Sequence, residues 1–449
     1  MFSIKSSRTR RIAAVVLASA VVTGGLAACS SDSGSDAASG SASDLDAALA
    51  KGGEITYWSW TPSAADQVAA FEKQYPKVKV NLVNAGTGND EYTKLQNAIK
   101  AGSGGPDVAQ VEYYAFPQFA LSDSLLDLSS YGFGDLKDKF TASTWSHVDI
   151  DGKIYGLPQD SGPMAMFYNK TVFDKYGLTV PTTWDEYVAD AKKLTAADPT
   201  KFITSDTGDA GFATSMIWQA GGQPFTVDGT NVKINLADSG SAKWASEWDQ
   251  LVKGKLLSTT PGWTDAWYKG LGDGSIATLI TGAWMPGVLE SSVADASGDW
   301  RVAPIPTYDG GTPVTSENGG GGQAVLKQSK NPALAAAFVK WLNSDQTSLD
   351  VFTKSGGFPS TNAELTASSF TDVAPDYFGG QKINEVLGAA ATQVQTGWSY
   401  LPFQVYANSI FGDTVGQSYS NNTDLESGLA AWQKQLVDYG NKQGFTVTQ

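Results

Sequence analysis

Between residues 54 and 111 the chain runs twice through strand, helix and strand, and this repetition limits the available folds more than any other feature. Residues 54–58 read as a strand. Residues 63–75 follow as a helix with Ser63 as its N-cap, Val68, Phe71 and Tyr75 on one face, and Pro76 ending it. Residues 78–83 alternate apolar and polar as a second strand. A helix over 89–101 carries Tyr92, Leu95 and Ile99 and stops at Gly102, before a third strand at 107–111. Two consecutive βαβ units imply a parallel sheet. Ligands of open α/β sheets sit beyond the carboxyl ends of the strands, so Trp60, the 84–88 loop, Glu112 and Tyr113 are expected to face one crevice.

The first residues combine Lys5, Arg8, Arg10 and Arg11 with an apolar run over 12–22 and small residues ending in Leu26-Ala27-Ala28-Cys29, the pattern of a secretory signal peptide. The run is far short of the roughly 20 residues that a membrane-spanning helix needs. Residues 29–52, rich in Ser, Asp, Ala and Gly, read as a flexible tether. About 400 residues remain, too many for one hydrophobic core and suited to two lobes. Further helices are expected from 181 to about 194 and over 242–252, 331–342 and 425–439, with strands at 276–281 and 300–305. Pro- and Gly-rich breaks at 157–163, 304–318 and 355–360 fall where the chain would pass between lobes.

Removing the four positive charges of the leader takes the formal net charge from −15 to −19, which disfavours nucleic acid and anionic membrane surfaces. Only one arginine, Arg301, follows the leader, and bidentate arginine is the usual means of holding carboxylates or phosphates. A neutral ligand is favoured. With 14 Trp, 17 Tyr and 19 Phe, the chain has many flat faces that keep a polar edge, which suit sugar rings.

The order and spacing of several short strings resemble extracellular solute-binding protein family 1, the maltose-binding-protein-like class serving ATP-driven sugar importers. They are Gly105-Pro106-Asp107-Val108; Gly156-Leu157-Pro158 with Met166-Phe167-Tyr168-Asn169-Lys170 and Phe173; and Val180-Pro181-Thr182-Thr183-Trp184-Asp185-Glu186-Tyr187. Gly274-Ser275-Ile276-Ala277 leading to Gly282-Ala283-Trp284, and Gly319–Gly322 before Ala324-Val325-Leu326, continue the match. The resemblance implies an α/β, two-lobed periplasmic-binding-protein-like fold, each lobe a mixed, mainly parallel sheet flanked by helices, hinged by three crossings. It divides the chain into signal peptide 1–28, tether 29–52, N-terminal lobe 53–160 and 315–357, and C-terminal lobe 161–314 and 358–449. It also implies a lipidated Cys29 holding a monomer at the extracellular face of the cell membrane. There the protein would deliver an oligosaccharide to the permease subunits of an ABC importer, with no cofactor, metal or nucleic acid.

Trp60 lies just past the first strand, where a ligand ring would stack, and Glu112 and Tyr113 end the third strand, where a carboxylate accepts two hydroxyls. Asp160 stands at the first crossing, near a position that often binds ligand in the family; hinge capping is its other reading. Trp218 and Gln219 resemble the second lobe's cleft wall, with helix-core packing as the alternative for Trp218. Trp267, and less so Trp263, lie in a Gly/Pro-flanked stretch, and Trp284 occupies a position where the family stacks a sugar ring. Gly319 and Gly320 would bring backbone amides close to hydroxyls, though a hinge turn fits them as well. Trp398 and Tyr400 would close the far end. Trp184, Trp244, Trp248, Trp341 and Trp432 sit at apolar helical spacing and are assigned to the core.

His147 is the only histidine and Cys29 the only cysteine, which removes zinc clusters and histidine-based triads. Gly272-Asp273-Gly274-Ser275-Ile276-Ala277 fits a dinucleotide pattern but precedes a strand where it should follow one. Two other functions stay open: binding of another neutral or cationic solute such as a polyamine, and glycoside hydrolysis, which needs only two suitably spaced carboxylates.

Overall fold

The computed structural model describes residues 40–311 and 313–449. The signal peptide, Cys29 and residues 30–39 of the tether lie outside the described residues. Among the described residues no helix is long and apolar enough to cross a membrane.

The protein is two-lobed. The first lobe is built on a five-stranded sheet in the order Val78–Val83, Gly53–Trp58, Val108–Glu112, Gly321–Val325, Leu157–Pro158. The first three strands are parallel, as the repeated strand–helix–strand pattern requires. Gly321–Val325 returns from the second lobe and pairs antiparallel with both neighbours. Apolar side chains of the central strands meet helices Ala64–Gln74, Asn89–Ala101 and Pro332–Ser344, where Phe338 packs edge-on against Tyr57 at 5.3 Å and Phe71 at 4.9 Å. Inside this core Gln323 Nε2 donates to Tyr57 Oη at 3.1 Å and Asn343 Nδ2 to Gln323 Oε1 at 2.6 Å. A buried amide on the returning strand is thereby paired on both sides, as burial demands.

Two expectations for this lobe are corrected. Ala42–Lys51, placed in the tether, is a helix. Its start is marked by Ser41 N donating to Asp44 Oδ2 at 2.7 Å. Leu45, Ala48 and Leu49 lie at i, i+3 and i+4 and pack on the first core. The surrounding Ser, Asp and Gly dilute that short apolar stripe in any compositional average. Ser63 does not cap the helix that follows it. Its backbone is already helical (φ −77°, ψ −9°) and its hydroxyl donates to Gln67 Oε1 at 3.0 Å.

The second lobe centres on Met164–Asn169, which pairs antiparallel with Thr278–Gly282 and with Trp300–Pro304. A mainly parallel central sheet is therefore wrong here; parallel pairing of regular strands in this lobe is confined to the short ones of Leu257–Ser258 with Thr204–Ser205 and Asn231–Ile234 with Thr446–Thr448 among the described residues. An apolar run records that a strand is buried on both faces but not the end from which it enters the sheet. Trp184, Trp244, Trp248 and Trp432 fill this lobe's main core, each 2% exposed or less, and Trp341 is buried in the first lobe. A second core in this lobe gathers Phe167, Trp300, Phe378 and Leu387.

The chain crosses between the lobes three times, and the crossings lie side by side. Asp160 bridges to Pro359 and Pro163 to Glu317. Asn318 N donates to Gly162 O at 2.7 Å, and Ser161 N to Phe358 O at 3.2 Å.

Candidate ligand-binding cleft

A cleft of about 430 Å³ lies between the lobes, at the carboxyl end of strand Val108–Glu112. The first lobe contributes Asn89, Glu112, Tyr113 and Tyr114, and the crossing strand Asn318, Gly319 and Gly320. The facing wall is the start of helix Ala210–Gln219 with Thr214 and Ser215, Trp284, and the segment holding Tyr400, Gln404 and Asn408.

Glu112 is held from behind. Its amide donates to Tyr92 Oη at 2.8 Å, and that hydroxyl lies 3.1 Å from Glu112 Oε2. Burial pushes its carboxyl up to about 7, against the tyrosine hydroxyls of Tyr114 and Tyr92 that stabilise the charge. Behind it Glu91 is fully buried in the first turn of its helix, and burial together with the neighbouring Glu112 raises it to about 8. The cleft thus carries a carboxyl near neutrality that both donates and accepts, a versatile partner for hydroxyl groups.

Trp284 begins helix Met285–Ser292 directly after strand Thr278–Gly282. Its indole Nε1 donates to Asn318 O at 2.7 Å, which fixes the ring against the crossing strand. That approach requires glycine next in line: Gly319 has φ +80°, and a Cβ there would stand 2.8 Å from Trp284 Nε1. Asn318 itself is tied to the second lobe through Nδ2 to Ser215 Oγ at 3.2 Å. Helix Ala210–Gln219 aims its N-terminus at the cleft, where Asp209 Oδ1 accepts from Phe212 N at 2.7 Å. Amides, hydroxyls and the carboxyls of Glu112 and Asp209 surround the cavity, and no Lys, Arg or His is among its described lining residues.

Of the residues expected here, Glu112, Tyr113, Trp284, Gly319 and Gly320 line this cleft together with Tyr400. The others stand elsewhere. Trp60 sits one layer back, edge-on to Tyr92 at 6.3 Å, and its loop is gathered by Gln110 Oε1, which accepts from Trp60 N at 3.1 Å and Ser59 Oγ at 2.8 Å. Asp160 Oδ1 accepts from Gly321 N at 2.7 Å and its carbonyl from Tyr113 Oη at 2.7 Å, so it caps the hinge, with burial raising its carboxyl to about 6. Trp218 and Trp398 stack on each other at 5.3 Å and 10° in the second lobe's core. Gln219 Oε1 accepts from Trp184 Nε1 at 3.1 Å while its Nε2 donates to Pro306 O at 3.0 Å, which pins the core. Trp267 is buried beneath Trp263 and Tyr268. Trp218 lies on helix Ala210–Gln219 and Trp267 on Asp265–Gly272, whereas Trp398 stands outside any helix; the Gly- and Pro-flanked stretches around the latter two did not tell on which side of the lobe each ring packs.

Asn89, Tyr114, Asp209, Ser215, Asn318, Gln404 and Asn408 were not anticipated. The 84–88 loop pointed toward Asn89, and Asp209 before an apolar run carried an N-cap signal. Nothing local marks Asn318 or Asn408 as neighbours.

The family profile of bacterial extracellular solute-binding proteins matches residues 57–348. The chain belongs to that family. Among solved extracellular solute-binding proteins, it resembles the ABC transporter associated binding protein from B. animalis subsp. lactis Bl-04 in complex with beta-1,6-galactobiose. The two share 47% identity and a TM-score of 0.81, over 88% of this chain and 99% of that one. The galacto-N-biose-/lacto-N-biose I-binding protein of the ABC transporter from Bifidobacterium longum, in complex with lacto-N-biose, is 30% identical with a TM-score of 0.78, over 89% of this chain and 99% of that one. An arabinooligosaccharide-binding protein of Halalkalibacterium halodurans is 25% identical over 299 residues, 64% of this chain and 66% of its relative.

Proposed function

We propose that the protein captures an oligosaccharide in the interlobe cleft and presents it to an ABC-type importer, without turning it over. The observation that carries this reading is the lining: Trp284, Tyr113, Tyr114 and Tyr400 beside amides, hydroxyls and the carboxyls of Glu112 and Asp209, with no basic side chain among the described lining residues. Such a surface offers ring faces and hydroxyl partners and repels anions. The volume, about 430 Å³, lies within the roughly 300–1,000 Å³ of small-molecule sites. A relative at 47% identity is bound to beta-1,6-galactobiose, which makes that disaccharide the first probe.

The ligand would touch both lobes together only when they close about the three crossings, so its binding energy would favour the closed form. The crossings at 157–163, 304–318 and 355–360 are the proposed hinge, dividing lobes of residues 53–160 with 315–357 and 161–314 with 358–449. Cys29 after Leu-Ala-Ala would carry the lipid that keeps a monomer near the permease subunits.

Intrinsic tryptophan fluorescence, titrated with beta-1,6-galactobiose, arabinooligosaccharides, spermidine, a peptide and a phosphate ester, tests the reading. Saturable response to a sugar with no product formed supports it. Response to spermidine alone keeps the fold and overturns the ligand. Release of reducing sugar that Glu112→Gln abolishes moves the protein into the hydrolases.

A further inference from the structure

Trp263 is the one aromatic among the large apolar side chains that stand exposed in the described residues; 57% of it faces solvent. Its backbone is held at φ +67°, a conformation costly for a bulky side chain. The turn that holds it is pinned, since Thr264 Oγ1 donates to Pro261 O at 2.8 Å and caps the following helix at Trp267 N, 3.3 Å away. Gly262 beside it faces open space, with nothing within 4 Å of a would-be Cβ. The ring stacks on Trp284, centroids 5.7 Å apart and planes 28° apart, and rests on Trp267 at 5.2 Å. Trp284 lines the cleft and Trp263 does not. The aromatic wall therefore runs out of the cleft onto the surface of the second lobe, ending in a large exposed indole.

Building a strained, pinned turn that leaves 57% of an indole in solvent costs stability, and only the inner side of the ring packs, on Trp267 and Trp284. The expense is explained if the exposed face binds something. We infer that Trp263 forms an outer sugar subsite at the cleft mouth, which takes the third ring of a neutral oligosaccharide whose first two rings lie in the cleft. This rests on the carbohydrate reading above and extends it to chain length. The protein is then a receptor for trisaccharides and longer chains as well as disaccharides, with the extra unit held by stacking alone.

The test compares beta-1,6-galactobiose with beta-1,6-galactotriose by calorimetry on the parent protein, Trp263→Gly and Trp263→Phe. Glycine removes the ring and suits the positive φ, so the turn is kept. The expected result is a loss of about five- to ten-fold in galactotriose affinity in Trp263→Gly. Galactobiose should change by less than about two-fold, and Trp263→Phe should recover much of the loss. Equal loss for both sugars, or no loss for either, overturns the subsite while leaving the cleft as a sugar site. Tighter binding of both by Trp263→Gly overturns it too, showing the indole to be a cover over Trp284. A parent protein that binds neither sugar nor any arabinooligosaccharide sinks the carbohydrate reading itself, and the subsite with it.

Discussion

His147 Nε2 lies 3.7 Å from Glu317 Oε2 where the three crossings meet, with 5% and 1% of the two side chains exposed. Neither atom has a hydrogen-bond partner among the described residues, although Ser161 Oγ donates to the other carboxyl oxygen at 3.1 Å. Tyr113, Tyr400 and Trp218 close around the imidazole at 4.9, 5.3 and 5.9 Å, and Asp160 adds negative potential to Glu317. Burial pushes Glu317 up to about 8 and His147 down to about 4, so both are neutral at pH 7.

The signs of the two groups are opposite. An unfolded Glu titrates near about 4.3, so the stability linked to Glu317 is present below that pH and is lost as pH rises toward 8. That linked to His147 is present above its unfolded value of about 6.5 and is lost as pH falls toward 4. Between about pH 6.5 and 8 only Glu317 of this pair is changing. Glu317→Gln should flatten the fall in Tm over that window relative to the parent protein. Parallel Tm–pH curves for the two would mean that Glu317 is already ionised in the folded state.

Trp284→Ala removes a cleft wall and the bond from Nε1 to Asn318 O. Affinity for whichever sugar saturates the fluorescence titration should drop by about ten-fold or more, with a cooperative melt retained. Unchanged binding by calorimetry would remove Trp284 from the site.

Gly319→Ala asks an L-residue to hold φ +80° and puts a methyl 2.8 Å from Trp284 Nε1. A loss of about 1–2 kcal/mol is expected from the backbone alone. Urea denaturation should show the lower midpoint, and ligand titration a weaker complex. A variant as stable and as tight as the parent would show that the crossing strand relaxes freely.

Gln219→Leu strips the partner from Trp184 Nε1 and from the carbonyls of Pro306 and Val314. Each orphaned group costs about 1–3 kcal/mol, so thermal stability should fall markedly. Sugar affinity of the folded variant, measured well below its melting point, should stay within about two-fold, since Gln219 is buried behind the wall and not on it. A selective loss of affinity would return Gln219 to the site.

Leu45→Ala tests whether the first helix belongs to the lobe. Leu45 is 3% exposed against the first core, and its truncation should cost about 2–5 kcal/mol. A change under about 0.5 kcal/mol, the scale of surface substitutions, would make the helix an appendage.

Period and punctuation carried much of the fold. The parallel core of the first lobe follows from apolar spacing at 54–58, 78–83 and 107–111 and from stops at Pro76 and Gly102, all of them local. The helix at 42–51 escaped because three apolar residues in a polar stretch become a stripe only when a partner surface exists to receive them. Within the cleft, Glu112 and Tyr113 were legible because strand ends of a parallel sheet have a known relation to ligands. Trp284 came from a resemblance, the two glycines from the close approach that a residue without a Cβ permits, and Asn318, Ser215 and Asn408 from none of these.

The sequence by itself determined the elements, their apolar faces, the poverty in arginine and the wealth of aromatic rings, because these depend on residue identity and short-range spacing. Apolar helical spacing assigned Trp184, Trp244, Trp248, Trp341 and Trp432 to the core, and only the tertiary structure decided which of the remaining rings are walls. The surroundings of Trp218, Trp267, Trp284 and Trp398 are set by segments up to 177 residues away, as where Trp218 Nε1 donates to Gln395 O. The direction of the second lobe's strands was settled there as well. So was the meeting of His147 with Glu317, since long-range pairing follows the packing of whole elements, which no short window of sequence contains.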